Sequence, residues 1–277
     1  MKRLLAGLLL AAALPAAAWV PPADPDPDKI LRDAVDDRMA GRYEDALAKQ
    51  LWFHHEALRY RRSLSGVRLS FALAFWADLA ELYAPAKAAL VKTRDEAAQA
   101  VREGRSAEDN FDDLVAIDRE LDDPLATVSV FLEVEKRDPK LAKALAGHAV
   151  DALIDAKYYD IAARYVDVET QMKLAKGTYE NMKSRTPPAS GVDFAALTEG
   201  FYASRAGRLV AMLVLANRKP EAEALAREAL TVSGSEKVKS SVDAALEGQV
   251  PPDFIDPKAR RAAKLAAPTA ASPAAPR

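Results

Sequence analysis

Hydrophobic residues recur at intervals of three and four positions through most of this chain. In "SAEDNFDDLVAIDREL", for example, Phe111, Leu114 and Leu121 fall on one face of a helix with about 3.6 residues per turn. The same period predicts helices over residues 28 to 40, 43 to 62, 66 to 83, 85 to 103, 106 to 120, 159 to 184, 193 to 217, 219 to 232 and 235 to 247.

Two further helices are predicted from the residues at their starts. Asp123 precedes Pro124, and Asp138 precedes Pro139, which is typical of a capping carboxylate followed by the first helical residue. Ser106, with Asp109 three residues later, approximates a capping box. Strand patterns are few, so we expect an all-α protein.

A short pattern of Gly, Tyr and Ala recurs in modified form at several predicted turns. In "GRYEDAL", Gly41 allows the chain to turn, Tyr43 starts the next helix and Ala46 lets a neighbouring helix approach closely. The matching positions elsewhere are Glu81, Tyr83 and Ala86, then Lys157, Tyr159 and Ala162, and Ala222 in "NRKPEAEALAREAL". Each turn lies between two predicted helices, which predicts helical hairpins with an alanine seam.

In these residues the chain resembles the tetratricopeptide-repeat family, whose unit is a helical hairpin with a tight turn. The resemblance implies antiparallel hairpins stacked over residues 28 to 250. The turns are unequally spaced along the chain, so we expect an irregular α-solenoid rather than a regular superhelix.

The resemblance also implies a binding surface, because the first helix of each hairpin in that family lines a concave groove. On "GVRLSFALAFWADLAELY" the groove-facing residues are Arg68, Phe71, Phe75 and Asp78. The residues expected to pack against neighbouring helices are Leu69, Leu73, Trp76 and Leu79. Two phenyl rings flanked by a cation and an anion suit an extended peptide or a helix. The alternative is that both phenylalanines are ordinary core residues.

The two ends of the chain differ from its middle. Residues 1 to 18, "MKRLLAGLLLAAALPAAA", have the basic start, short apolar run and small residues of a secretory signal peptide, with cleavage expected before Trp19. A retained anchor is the alternative. A Pro- and Asp-rich linker follows at residues 19 to 27, and residues 251 to 277 form an Ala- and Pro-rich basic tail that we expect to be disordered.

Charge and composition limit the kinds of partner that this protein is expected to bind. The chain has 39 Lys and Arg against 41 Asp and Glu, and several of its cations lie in the two ends, which leaves an acidic body. An acidic body argues against nucleic-acid binding. Beyond the signal peptide no segment is apolar enough to span a membrane. There is no cysteine, so export does not depend on disulfides.

Motifs that carry chemistry are not found in the sequence. His54 and His55 are adjacent and point about 100° apart on a helix, and His148 stands alone, so we expect no metal site. The chain contains no phosphate loop and no Gly-x-Ser-x-Gly elbow. We therefore expect no catalytic residues and no cofactor. A hydrolytic alternative needs a pair of carboxylates facing a cleft.

These observations favour a non-enzymatic exported protein, periplasmic or secreted. Its expected role is to bind a protein or peptide partner as a scaffold or assembly factor of the cell envelope. The alternative is a periplasmic carrier or sensor of a small hydrophobic ligand. The oligomeric state stays open.

Overall fold

A computed structural model describes residues 19–186 and 193–254 of the chain. The predicted signal peptide, residues 187–192 and the tail from residue 255 lie outside this part. Within it the protein is all-α, and no strand is present, as the sequence predicts. The chain divides after Ala86 into two compact units, here called unit 1 and unit 2.

Unit 1 is built from short helices around a small aromatic core. Its elements are α1 (Pro27–Met39), α2 (Tyr43–Tyr60), a 3₁₀ turn (Arg62–Leu64), α3 (Ser65–Val67), a π-helical turn (Arg68–Ala72), α4 (Leu73–Ala80) and the start of α5 (Ala84–Arg102). Leu31 of α1 packs with Phe53 of α2 and Ala72 of the π-helical turn. Trp76 is buried, and its indole Nε1 donates to the carbonyl of Ala86 at 3.0 Å.

Unit 2 contains longer helices and the larger core. After α5 come α6 (Ala107–Leu121), α7 (Pro124–Arg137), α8 (Pro139–Asp155), α9 (Tyr159–Tyr165), α10 (Val168–Ser184), α11 (Phe194–Leu215), α12 (Lys219–Val232) and α13 (Glu236–Leu246). Helix α11 contacts α9, α10, α12 and α13. Because neighbours surround α11, even its polar Ser204 and Arg208 are buried.

The predicted helix starts are confirmed in two cases and wrong in one. The Asp123 carboxylate accepts from the amide of Ala126, and that of Asp138 accepts from the amide of Leu141. Ser106 does not cap α6 with its side chain, because its backbone is left-handed, with φ of 40°. A capping side chain needs an extended backbone in order to reach the first amides of the helix.

The helix predicted over residues 159 to 184 is two helices. Helix α9 ends at Tyr165, and Asp167 then starts α10, where its carboxylate accepts from the amide of Thr170 at 3.0 Å. Hydrophobic period alone did not reveal this break, since Asp at a helix start resembles Asp on an exposed helix face.

Three of the four predicted turn positions have the same conformation. The fourth position is Asn217, which precedes Ala222 by five residues as Gly41 precedes Ala46. Gly41, Lys157 and Asn217 all have left-handed φ values between 59° and 77°. At each turn the following amide bonds back to a carbonyl five residues earlier, as between Arg42 and Asp37 at 2.9 Å. This is the Schellman ending of a helix. At Glu81 the backbone remains right-handed, with φ of −68°, so that turn is built differently.

The alanines that follow these turns are fully buried. Ala46, Ala86, Ala162 and Ala222 expose none of their surface. A larger side chain at any of them would push the neighbouring helix away, since protein cores are close-packed. The alanine seams therefore lie at close helix contacts within each unit.

Candidate interaction cleft

The four residues predicted to line a groove do not share one environment. Arg68 is only 9% exposed, and its guanidinium Nη1 lies 3.3 Å from His54 Nε2. Phe75 is half-buried against the core of unit 1, and Asp78 is also half-buried. Phe71 is 67% exposed. Only Phe71 thus presents a large apolar surface to solvent.

The π-helical turn explains this divergence. A π turn bonds each residue to the fifth along instead of the fourth, so residues across it lose the 3.6-residue register. Arg68 and Phe71 both lie in this turn, whereas Phe75 lies in α4. The spacing that would align them on a regular helix therefore does not apply. Beyond the turn, Leu73, Trp76 and Leu79 are buried as predicted.

His54 is part of a buried cluster in unit 1. Its ring contacts that of Trp76 edge-on, with centroids 5.7 Å apart. Burial, with the nearby positive charge of Arg68, lowers the pKa of His54 to about 3. His54 is therefore neutral at ordinary pH and packs as a core residue.

Sequence reasoning missed a cleft in unit 2. It has a volume of about 440 Å³ and lies among α6, α7, α8 and the segment that follows α13. Its charged residues are Asp118, Arg119, Asp122, Asp151, Asp155, Lys157, Arg208 and Asp253. We call it the acidic cleft, because five carboxylates outnumber three cations.

Arg208 holds one wall of the acidic cleft together. This side chain is 2% exposed in the middle of α11 and reaches across to α8. Its guanidinium donates to Asp151 Oδ1 at 3.1 Å, to Asp155 Oδ1 at 2.6 Å and to the carbonyl of Pro251 at 3.1 Å. Asp151 and Asp155 are four residues apart on α8 and so share one helix face.

Asp151 is shared between two arginines. Arg205, one turn before Arg208 on α11, donates to its second carboxylate oxygen. Burial by itself would raise the pKa of Asp151, but the two guanidinium groups lower it below its usual value. Asp151 is therefore ionised and anchors α8 to α11.

Asp118 closes the cleft on the α6 side. Its side chain is 1% exposed and accepts from Thr127 Oγ1 at 2.7 Å and from the Arg94 guanidinium at 3.3 Å. Burial raises the pKa of Asp118 to about 6, although both donors oppose that shift. Asp118 thus ties α6 to α5 and α7 and keeps its proton to a higher pH than a solvated aspartate does.

The segment after α13 completes the wall. The carbonyl of Pro252 accepts from Ser204 Oγ at 2.8 Å. A Cβ atom at Gly207 would lie 2.7 Å from the Pro251 ring, so the close approach requires glycine in α11. The Phe254 ring packs edge-on against Phe201, with centroids 5.5 Å apart.

A second chamber of about 320 Å³ adjoins the acidic cleft. The two share Arg119, Asp151 and Asp253. Four of its ten lining residues are apolar, namely Leu174, Ala175, Phe201 and Phe254, and the other six are polar or charged. We call it the apolar chamber after these four residues. Leu174 is 59% exposed at this chamber.

The raised pKa of Asp118 beside the lowered pKa of Asp151 invites comparison with an acid and base pair. However, both oxygens of Asp118 accept hydrogen bonds from Thr127 and Arg94. Both oxygens of Asp151 likewise accept from Arg205 and Arg208. These carboxylates therefore hold helices together. The exposed charged residues of the cleft are Asp122, Asp155 and Lys157, of which Asp155 also accepts from Arg208.

Two further findings concern the part of the chain that the structure describes. No group of three or more His, Asp or Glu side chains there is arranged to hold a metal ion. None of the helices in residues 19–186 and 193–254 has the length and apolarity needed to cross a membrane. Comparison of the chain with protein-family models, curated proteins and solved structures finds no match.

Proposed function

We propose that this chain is an exported, non-enzymatic helical-repeat protein that binds a protein or peptide partner. A scaffold or assembly factor of the cell envelope is the role that fits best. The signal-peptide pattern of residues 1 to 18 supports export. The recurrent turn followed by a buried alanine supports an irregular solenoid of the tetratricopeptide-repeat kind.

The observation that carries the proposal is the pair of adjoining cavities in unit 2. Charged and apolar residues lie side by side along both cavities, a mixed surface that suits an extended chain segment. Charged groups would fix its direction, and an apolar side chain would be buried in the chamber. The shared residues Arg119, Asp151 and Asp253 make the two cavities continuous.

Affinity capture with paired variants tests this function. The bait is the expected mature chain, residues 19 to 277, presented to envelope extract of its own cell. Asp122→Lys reverses an exposed charge of the acidic cleft, and Leu174→Asp places a charge in the apolar chamber. We expect each variant to lose the same stoichiometric protein, which mass spectrometry identifies, while circular dichroism stays unchanged.

Matched controls are available on other surfaces. Leu82→Asp changes an equally exposed leucine of unit 1, and Asp243→Lys reverses an exposed charge of α13. Both controls should retain the partner. Capture that is insensitive to the cleft variants, or lost equally in the controls, would refute the cleft as the binding site.

Phe71 remains a predicted contact of unit 1. Because it is exposed, Phe71→Asp should leave folding intact, whereas Phe75→Asp would also disturb the core that Phe75 packs against. Loss of partner with Phe71→Asp would extend the binding surface to unit 1. Unchanged capture would restrict it to the cleft.

The apolar chamber favours one alternative, a carrier or sensor of a small hydrophobic ligand. Its volume of about 320 Å³ lies at the low end of small-molecule sites. Such a ligand would purify with the protein and raise its melting temperature. Native mass spectrometry of the wild type and of Leu174→Asp separates the alternatives, since only a carrier would show a small bound mass that the variant loses.

A further inference from the structure

Residues 250–254, "VPPDF", follow α13 and run along α11; we call them the strap. We propose that the strap occupies a groove on α11 that also binds a partner segment of the same chemistry. Such a segment has two adjacent prolines and, two residues after them, an aromatic side chain. The proposal rests on the partner binding proposed above and names the kind of segment that is bound, which would displace the strap.

Side chains of α11 hold the main chain of the strap. The carbonyl of Pro251 accepts from Arg208 Nη1 at 3.1 Å, and that of Pro252 accepts from Ser204 Oγ at 2.8 Å. Arg208 and Ser204 are four residues apart and so lie on one face of the helix. Hydrogen bonds to main-chain groups are a common means of binding an extended peptide, since they do not depend on its side chains.

Two rings of the strap supply the selectivity. A Cβ atom at Gly207 would lie only 2.7 Å from Pro251 Cγ, so the proline ring fills space that a side chain would otherwise take. The ring of Phe254 packs edge-on against Phe201, with centroids 5.5 Å apart, and lies 3.7 Å from where a Cβ at Gly200 would be. The groove therefore accepts one ring at each of two positions, three residues apart in the bound segment.

Adjacent prolines also suit the groove through their backbone. Proline has no N–H group, so the two bonded residues of the strap leave no donor without a partner. A residue that precedes proline is restricted to extended conformations, and both Val250 and Pro251 precede one. A segment with this sequence is thus restricted before it binds and loses little conformational entropy on binding.

The strap is less firmly built into unit 2 than the helix before it. None of its five residues is buried, whereas α13 contributes Val238, Val242 and Ala245 to the core. Without the strap, Arg208 would keep its bonds to the two aspartates of α8. Displacement would therefore spare the core. It would also uncover both cavities, because residues of the strap line each of them.

Peptide exchange on the full mature chain tests the groove. Pro251→Gly, Pro252→Gly and Phe254→Ser together give an open-strap chain in which every residue of the groove is kept. A fluorescent peptide of residues 248–254, "GQVPPDF", is the probe, and its anisotropy measures binding. We expect the open-strap chain to bind it at least about tenfold more tightly than the wild type, whose tethered strap competes. Equal affinities would overturn the proposal.

A matched pair of hydroxyl deletions locates the bound peptide. In the open-strap chain, Ser204→Ala removes the donor to a peptide carbonyl and should weaken binding about fivefold. Thr198→Val removes another buried hydroxyl of α11, which bonds to Phe194 within its own helix, and should leave the affinity unchanged. Equal effects of the two changes would refute binding in the groove.

The wild-type chain gives a second measurement that does not require the open-strap chain to fold. Excess unlabelled peptide should shift the amide resonances of Ser204 and Gly207 in ¹⁵N-labelled wild type. A peptide with alanine in place of both prolines should not shift them. Absent shifts with the first peptide, or equal shifts with both, would overturn exchange in the groove.

Two comparisons separate this proposal from its neighbours. Strap exchange between two copies would give a wild-type dimer that the open-strap chain loses, and light scattering that shows such a dimer would overturn the assignment to a partner. Peptide binding uses no cell extract. Its failure would refute the groove and leave partner capture at the cleft possible, whereas failed capture with intact peptide binding would refute only the function proposed above.

Discussion

The two units each bury a titratable group whose pKa is shifted mainly by burial, and the two shifts have opposite directions. In unit 1 this group is a base, His54, whose pKa falls to about 3. In unit 2 it is an acid, Asp118, whose pKa rises to about 6. Burial disfavours the charged form in both cases. The comparison teaches that, through these two groups, lowering the pH should decrease the unfolding free energy of unit 1 and increase that of unit 2.

The largest expected effect lies in the ion network of unit 2. Arg208→Leu leaves Asp151, Asp155 and the carbonyl of Pro251 without a buried donor. We expect unit 2 to lose about 3 kcal/mol of unfolding free energy, less than when a fully buried pair is broken, because Asp155 is 42% exposed and Asp151 keeps Arg205. Urea unfolding followed by circular dichroism measures it.

Arg205→Leu is the matched control for that change. Arg205 also donates to Asp151 but is more exposed than Arg208. We expect a loss of about 1 kcal/mol, close to that of a partly solvated ion pair. Equal losses for the two variants would mean that burial does not set the strength of this network.

The next effect is the acid sensitivity of unit 1. The pKa of His54 is lower in the folded state than its usual 6.5, so the unfolded state binds more protons below that pH. Lowering the pH from 7 to 5 should therefore cost unit 1 about 2 kcal/mol. Native-state hydrogen exchange of α2 amides measures this local free energy.

Two variants isolate the contribution of His54 to the acid-dependent loss of stability in unit 1. His54→Phe should remove the acid-dependent loss, even if its overall stability differs from that of the wild type. The exposed neighbour His55 provides the control, and His55→Gln should retain most of the loss. An acid-dependent loss that survives in His54→Phe would assign it to another group.

The third effect is a gain in the stability of unit 2 on acidification, opposite in sign to the loss expected for unit 1. The pKa of Asp118 is higher in the folded state than its usual 3.8, so the folded state binds more protons between about pH 4 and 6. Unit 2 should therefore gain about 1 kcal/mol on going from pH 7 to 5. Hydrogen exchange of α6 amides should show a larger gain in the wild type than in Asp118→Asn, where the remaining gain comes from His148, whose pKa is raised by its hydrogen bond with Asp112. A gain of the same size in both would exclude Asp118 as its source.

The smallest effect compares one turn in the two units. Unit 1 places Gly41 at the left-handed position, whereas unit 2 places Lys157 there. A Cβ at Gly41 would meet nothing within 4 Å, so only backbone strain opposes a side chain. Gly41→Lys should cost about 1 kcal/mol, and Lys157→Gly should gain a similar amount. Thermal melting of both variants tests this, and shifts of the same sign would contradict it.

Local signals in the sequence predicted much of the fold. The capping carboxylates Asp123 and Asp138 act on amides two or three residues away, so their effect can be read from adjacent residues. The buried alanines after the turns follow from the same short-range pattern. The candidate groove was harder to predict, because the π-helical turn Arg68–Ala72 changes the register on which that prediction depended.

The contacts that form the cleft could not be predicted from the sequence. Arg208 is 57 residues from Asp151 and 53 from Asp155 in the chain, and an arginine in an apolar helix gives no sign of which carboxylates it will meet. The burial that shifts the pKa of Asp118 likewise comes from how α6 packs with its neighbours. By itself the sequence determined most of the helices, the caps at Asp123 and Asp138 and most of the turns, because these depend on neighbouring residues. The tertiary structure alone decided the cleft and its charges, because these depend on helices that meet only when the chain folds.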